Sequence, residues 1–151
     1  MRLKHLVILG ITAIITLGCT TEVASNQVDN QMPPATNIAN PVDVTDAAIF
    51  QDGEHPTQGK VNVITENGKR YLAFDQGFKT DNGPDLFVIL HRSKKPPIYG
   101  VVEKDYVSIA ALEKISGAQR YALPDKVNLA EFKSVAIWCR KFNATFGYAV
   151  L

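Results

Sequence analysis

The chain has 151 residues, 46% of them hydrophobic and 21% charged, with a formal net charge of +1. That length suits one domain with appendages, and the composition is that of an ordinary globular protein. With Arg2 and Lys4 set aside, 14 basic residues stand against 15 acidic ones, a balance of −1. This excludes the concentrated basic surface that nucleic-acid binding requires and leaves no field to steer an acidic substrate.

The N-terminus reads as an export signal. Arg2 and Lys4 form a positive start, and residues 6–17 are uncharged and apolar, diluted by Gly10, Thr12 and Thr16. The run is short of the roughly 20 residues that span a bilayer. Gly18-Cys19 follows at once. A small residue before a cysteine at the end of such a run resembles the lipobox of bacterial lipoproteins, although Thr16 stands where that motif prefers Leu. The resemblance implies that residues 1–18 are a cleaved signal peptide and that the Cys19 sulfur carries a diacylglycerol. Several acyl chains, at about 0.8 kcal/mol per buried CH₂, make a stable anchor where one does not. The expected address is therefore the bacterial cell envelope: exported, held to the membrane through Cys19, and either facing the periplasm or on the outer membrane. Thr20, in place of Asp, favours the outer membrane by lipoprotein sorting habit.

Residues 20–46 contain no aromatic residue and no Lys or Arg, and are rich in Asn, Thr, Pro and Ala. Such a segment cannot bury enough apolar surface to offset its ordering entropy. Residues 19–46 are expected to be a lipidated cysteine and a disordered tether, locally extended at Pro33-Pro34 and Pro41.

From residue 47 short apolar runs recur between turn residues. This spacing predicts an all-β fold, a small antiparallel sandwich or barrel of roughly seven to nine short strands over residues 47–151. Residues 60–65 alternate, with Val61 and Val63 on one face. Glu66-Asn67-Gly68-Lys69 is a hairpin turn, because Asn-Gly supplies the two positive φ angles of a type I′ turn. Residues 70–74 return. Asp81-Asn82-Gly83-Pro84 is a second turn. Residues 86–90 are continuously apolar and read as a strand covered on both faces. A short strand at 106–109 is expected to run into one helical turn over 109–115, ended near Gly117. Residues 119–123, 135–139 and 145–151 complete the set.

Two cysteines are present. With the Cys19 sulfur acylated, Cys139 is a lone thiol in an exported protein, where thiols are usually paired. Three readings stand: a buried small hydrophobe, a redox thiol or cofactor ligand such as a haem thiolate, or a partner in an intermolecular disulfide. Strand alternation puts Val135, Ile137 and Cys139 on a core face and Ala136, Trp138 and Arg140 on a face that meets solvent. The nearby loop at Arg140-Lys141 points to a rim position, partly covered and lined by Trp138 or Phe142.

His55 and His91 read as solvated loop histidines, since no CxxC or HxxxH spacing joins them to Cys139, and no metal site is expected. Asp75, Asp81, Asn82 and Asp85 crowd two turns but lack calcium-loop spacing. Tyr71, Phe74, Phe78 and Phe87 read as core.

Several stretches carry a further resemblance: residues 71–74 (YLAF), 78–90 (FKTDNGPDLFVIL), 117–124 (GAQRYALP), and the close at 135–149 (VAIWCRKFNATFGYA). Together they resemble the DM-thirteen domain, found in Skeletor-type proteins and in fusions with DOMON and cytochrome b-type domains. The resemblance covers about residues 48–151. It implies an extracytoplasmic β-rich domain with an electron-transfer role, in which the cysteine corresponding to Cys139 acts as a free thiol or holds a group such as haem. On this expectation the chain is a redox module rather than a turnover enzyme, with an unnamed redox or envelope protein as partner. The alternative is a non-catalytic binding or adhesion module in which Cys139 only packs. A fold alone does not decide between the two.

Overall fold

Val61 and Val63 point to one side of their strand and Leu72 and Phe74 to the same side of the next, and all four are buried. The computed structural model describes residues 43–151, and the fold grows from this hairpin. Strands β1 (Asp43–Val44), β2 (Ala48–Asp52), β3 (Lys60–Glu66), β4 (Lys69–Phe74), β5 (Leu86–His91), β6 (Tyr106–Ala111), β7 (Gln119–Ala122), β8 (Ser134–Cys139) and β9 (Ala144–Val150) are joined by loops and two 3₁₀ turns, Glu103–Asp105 and Leu129–Glu131. The expected signal, Cys19 and most of the tether lie outside the described residues. The last tether residues do not: Asp43 and Val44 pair with Thr65 and Ile64 of β3.

All neighbouring strands are antiparallel, in the order β6-β5-β8-β9-β2-β3-β4-β7, with β1 beside β3. The sheet curls into a nearly closed barrel, as the all-β expectation required. Strand β2 makes the corner. Its first residues pair with β3 and its last with β9. Asn67 and Gly68 take φ of 51° and 76°, the left-handed pair that the β3–β4 turn needs.

The two ends of the sheet, β6 and β7, are joined through side chains. The Gln119 amide donates to the Lys114 carbonyl at 2.9 Å and accepts from the Lys114 N–H at 3.0 Å. The Tyr121 hydroxyl accepts from the Glu113 N–H at 3.0 Å and donates to Gln119 Oε1 at 2.7 Å. A side-chain amide thus does what a backbone pair does elsewhere in the ladder. The helical turn expected over residues 109–115 is accordingly absent: residues 109–111 belong to β6, and 112–115 are irregular backbone. Their N–H groups are taken across the sheet, Leu112 by the Leu86 carbonyl and the next two by Tyr121 and Gln119. A local helix would have left those partners orphaned.

The barrel interior holds Phe50, Phe74, Phe78 and Tyr121, whose ring centroids lie 4.7–5.4 Å apart, packed with Leu72, Val88, Leu90, Val135, Ile137 and Phe146. A second, smaller core lies outside β5, β8 and β9: Ile89, Ala136, Trp138 and Tyr148 under Val101, with Tyr106 alongside. The Ala136–Trp138 face therefore does not meet solvent as expected. The loop at 96–102 covers it, held by Thr145 Oγ1 donating to the Pro97 carbonyl at 2.7 Å and Asn143 Nδ2 donating to the Val101 carbonyl at 3.2 Å. Of the four rings expected in the core, Phe74 and Phe78 are buried. Tyr71 and Phe87 are half-buried beneath the guanidinium groups of Arg120 and Arg140. Among the described residues no helix is long and apolar enough to cross a membrane.

Candidate functional site

Cys139 is the last residue of β8, and the alternation of that strand decides where it points. Val135, Ile137 and Cys139 join the barrel core, while Ala136 and Trp138 join the outer one. The core-facing assignment holds. The rim position does not: Cys139 is 0% exposed. Trp138 packs on the opposite face, and Phe142, 61% exposed, turns outward. The strand does end there, but both flanks are closed. Leu86 pairs with Cys139 on one side and Ala144 on the other. Just beyond, Arg140 clamps the end by bonding Asp85 at 2.8 and 3.3 Å. Cys139 is the one free cysteine among the described residues.

A thiolate-held haem does not fit this position. The cysteine is sealed in the core, and four cavities at the barrel surface, of about 250–360 Å³, are walled by other residues.

The two histidines part company. His91, expected in solvent, is 2% exposed. It closes β5, where pairing with Tyr106 and Ser134 seals it. Its Nδ1 accepts from the Ser93 N–H at 3.0 Å and its Nε2 has no partner. Desolvation pushes its pKa below the usual 6.5, against a smaller opposing effect of the Ser93 hydrogen bond. His55 stays half-exposed, its ring 3.9 Å from the Phe146 ring centroid. Among the described residues no three His, Cys, Asp or Glu side chains gather as a metal site. The turn carboxylates disperse instead: Asp75 accepts from the Lys60 N–H, Asp81 faces His55, and Asp85 holds Arg140.

A polar chain that no spacing in the sequence announces lies beside β9. Residues 53–55 run along the strand, with Gly53 and His55 N–H donating to the Phe146 carbonyl and Glu54 N–H to that of Thr145. Gly147 makes room for this segment, because a Cβ there would collide with the Thr57 side chain. Tyr99 meets the same strand from the loop at 96–102, bridging to Ala144. Its hydroxyl donates to Glu54 Oε1 at 2.6 Å across 45 positions of sequence. Glu54 Oε2 lies 3.9 Å from His55 Nε2, and His55 Nδ1 lies 3.0 Å from Asp81 Oδ2. The bond to Glu54 holds the Tyr99 phenol above its ordinary pKa. Next to Asp81 is a polar cleft of about 300 Å³ lined by Asp52, Thr57, Lys79 and Thr80.

Comparison with curated proteins and with solved structures finds no match to either. Comparison with family models does: residues 49–151 match the model described as electron transfer DM13. That span begins within β2 and takes in Glu54, Tyr99 and Cys139 together with the strands from β2 to β9, so the chain belongs to the electron transfer DM13 family.

Proposed function

We propose that this chain is a lipid-anchored electron-transfer module of the cell envelope, with the sulfur of Cys139 as its redox group. The observation that carries the reading is the family match, which spans the whole barrel from β2 to β9. Two features support Cys139 as the group concerned. It is the sole described cysteine, and it stands where β8 meets the surface turn. Its burial selects among redox chemistries. Thiol–disulfide exchange needs a second sulfur to approach in line, and a fully covered sulfur offers no path to one while the barrel stays closed. The chain is then a carrier, not a turnover enzyme, and docks with a separate redox or envelope protein. Anchoring rests on the apolar run and Gly18-Cys19.

A second reading is favoured by the same burial: Cys139 as a small apolar residue in a non-catalytic binding or adhesion domain. Protein-film voltammetry of the full chain separates the two. A redox couple present in the native protein and absent in Cys139→Ala, with the circular dichroism unchanged, supports the electron-transfer reading centred on Cys139. An identical couple in the variant, or none in either protein, leaves Cys139 structural. Mass spectrometry of protein isolated from membranes tests the anchor. An acylated Cys19 at the N-terminus is expected, and an intact Met1 refutes it.

A further inference from the structure

A sealed sulfur cannot touch a docked partner, so the electron needs a group that reaches both the barrel wall and the solvent. Tyr99 has that position. It is 61% exposed, and its backbone bridges to Ala144, which pairs on its other side with Cys139. Two ladder steps of about 4.8 Å therefore separate Tyr99 from Cys139, roughly 10 Å in all.

Its hydroxyl has the partner that one-electron chemistry at a phenol requires. Removing an electron from a phenol makes its proton strongly acidic, so a base must stand within hydrogen-bond reach. Glu54 Oε1 accepts that proton at 2.6 Å, a short contact of the charge-assisted kind. The other oxygen of Glu54 faces the His55 imidazole at 3.9 Å, and Asp81 holds the far side of that ring at 3.0 Å. The carboxylate is thus held at one oxygen by Tyr99, with the His55 ring near the other. All five tyrosines lie among the described residues, and the other four lack this arrangement. Tyr121 is buried and donates to Gln119, Tyr148 donates to Gln51, Tyr71 lies under Arg120, and Tyr106 packs on Trp138.

We infer that Tyr99, with Glu54 as proton acceptor, is the relay through which electrons pass between this domain and a one-electron metal oxidant on its partner. The Tyr99 O–H bond breaks. The electron goes to the metal, whose charge falls by one, and the proton goes to Glu54, leaving a neutral tyrosyl radical beside a protonated carboxyl group. When an electron returns to Tyr99, Glu54 gives the proton back. The inference deepens the electron-transfer reading and rests on it, but it does not require Cys139 to be the donor.

The test is oxidation of the full chain by hexachloroiridate(IV), followed by freeze-quench electron paramagnetic resonance. A neutral tyrosyl signal is expected in the native protein and should vanish in Tyr99→Phe, an exposed change that leaves the barrel intact. Glu54→Gln keeps the hydrogen bond but takes no proton, and should slow radical formation by about 10²-fold. A signal that survives Tyr99→Phe, or a rate indifferent to Glu54→Gln, overturns the relay. Cys139→Ala tests the donor separately. A longer-lived Tyr99 radical in that variant supports both assignments. An unchanged lifetime, with the signal still lost in Tyr99→Phe, leaves the relay standing and removes Cys139 as donor.

Discussion

Replacing Cys139 by Ser and by Ala measures how tightly the sulfur is sealed. At 0% exposure, with its backbone already paired to β5 and β9, the position offers a serine hydroxyl neither water nor an idle partner. A buried hydroxyl without a hydrogen bond costs about 1–3 kcal/mol. Alanine removes one heavy atom and adds no polar group, for a loss of about 1 kcal/mol. With the serine penalty at about 2 kcal/mol, the middle of that range, serine should be the less stable variant by about 1 kcal/mol, a melting difference of about 4–8 °C in a domain of this size. Differential scanning calorimetry reads this directly. The companion measurement is the labelling rate of the native thiol. Reaction must wait for opening, and a domain with at least about 5 kcal/mol of stability holds its open form below roughly one part in 10³. Labelling should be slowed by at least that factor relative to the unfolded chain, and should recover with denaturant. Serine as stable as alanine, or fast labelling of the folded protein, would show that water reaches the sulfur and that the sealed-core reasoning is wrong.

Gln119→Ala should be among the costliest polar changes in the domain. It removes three hydrogen bonds that close the barrel seam, and a loss of about 2–4 kcal/mol is expected from urea unfolding; a loss under about 1 kcal/mol would mean the seam closes without it. His91 predicts an acid-side instability. Its folded pKa is depressed below 6.5 by desolvation, so the unfolded chain binds the extra proton as pH falls, and stability drops from about pH 6.5 downward. His91→Asn, which keeps an acceptor for the Ser93 N–H, should flatten that slope, and an unchanged slope assigns it to other groups. Gly147→Ala should destabilise by more than about 2 kcal/mol, since the new Cβ meets the Thr57 side chain where the 53–57 segment is already tied to β9; a melting temperature within about 4 °C of the native value, a loss of about 1 kcal/mol or less, would show that the segment gives way easily.

Local patterns in the chain decided much of this protein. Alternation in β3, the Asn67-Gly68 turn and the apolar run of β5 each specify a neighbouring pair or a buried face, and the side-chain period of a strand carries that information in a few residues. The core-facing side of Cys139 was legible for the same reason. Its degree of exposure was not. Arg140 marks the end of the strand in sequence, yet only the tertiary structure brings Asp85, 55 positions away, to clamp it, and only the loop at 96–102 covers the face of Trp138. His91 looks like a polar strand end until β6 and β8 close around it. The non-helical path of residues 112–115 likewise depends on Tyr121 and Gln119, which compete for its N–H groups against any local helix. The Tyr99–Glu54 pair has no sequence signature at all, because two loops with no common periodicity meet only where both lie against β9. Strand identity is set by neighbours in the chain; burial, pairing and proton acceptors are set by neighbours in space, and these exist only once the barrel has closed.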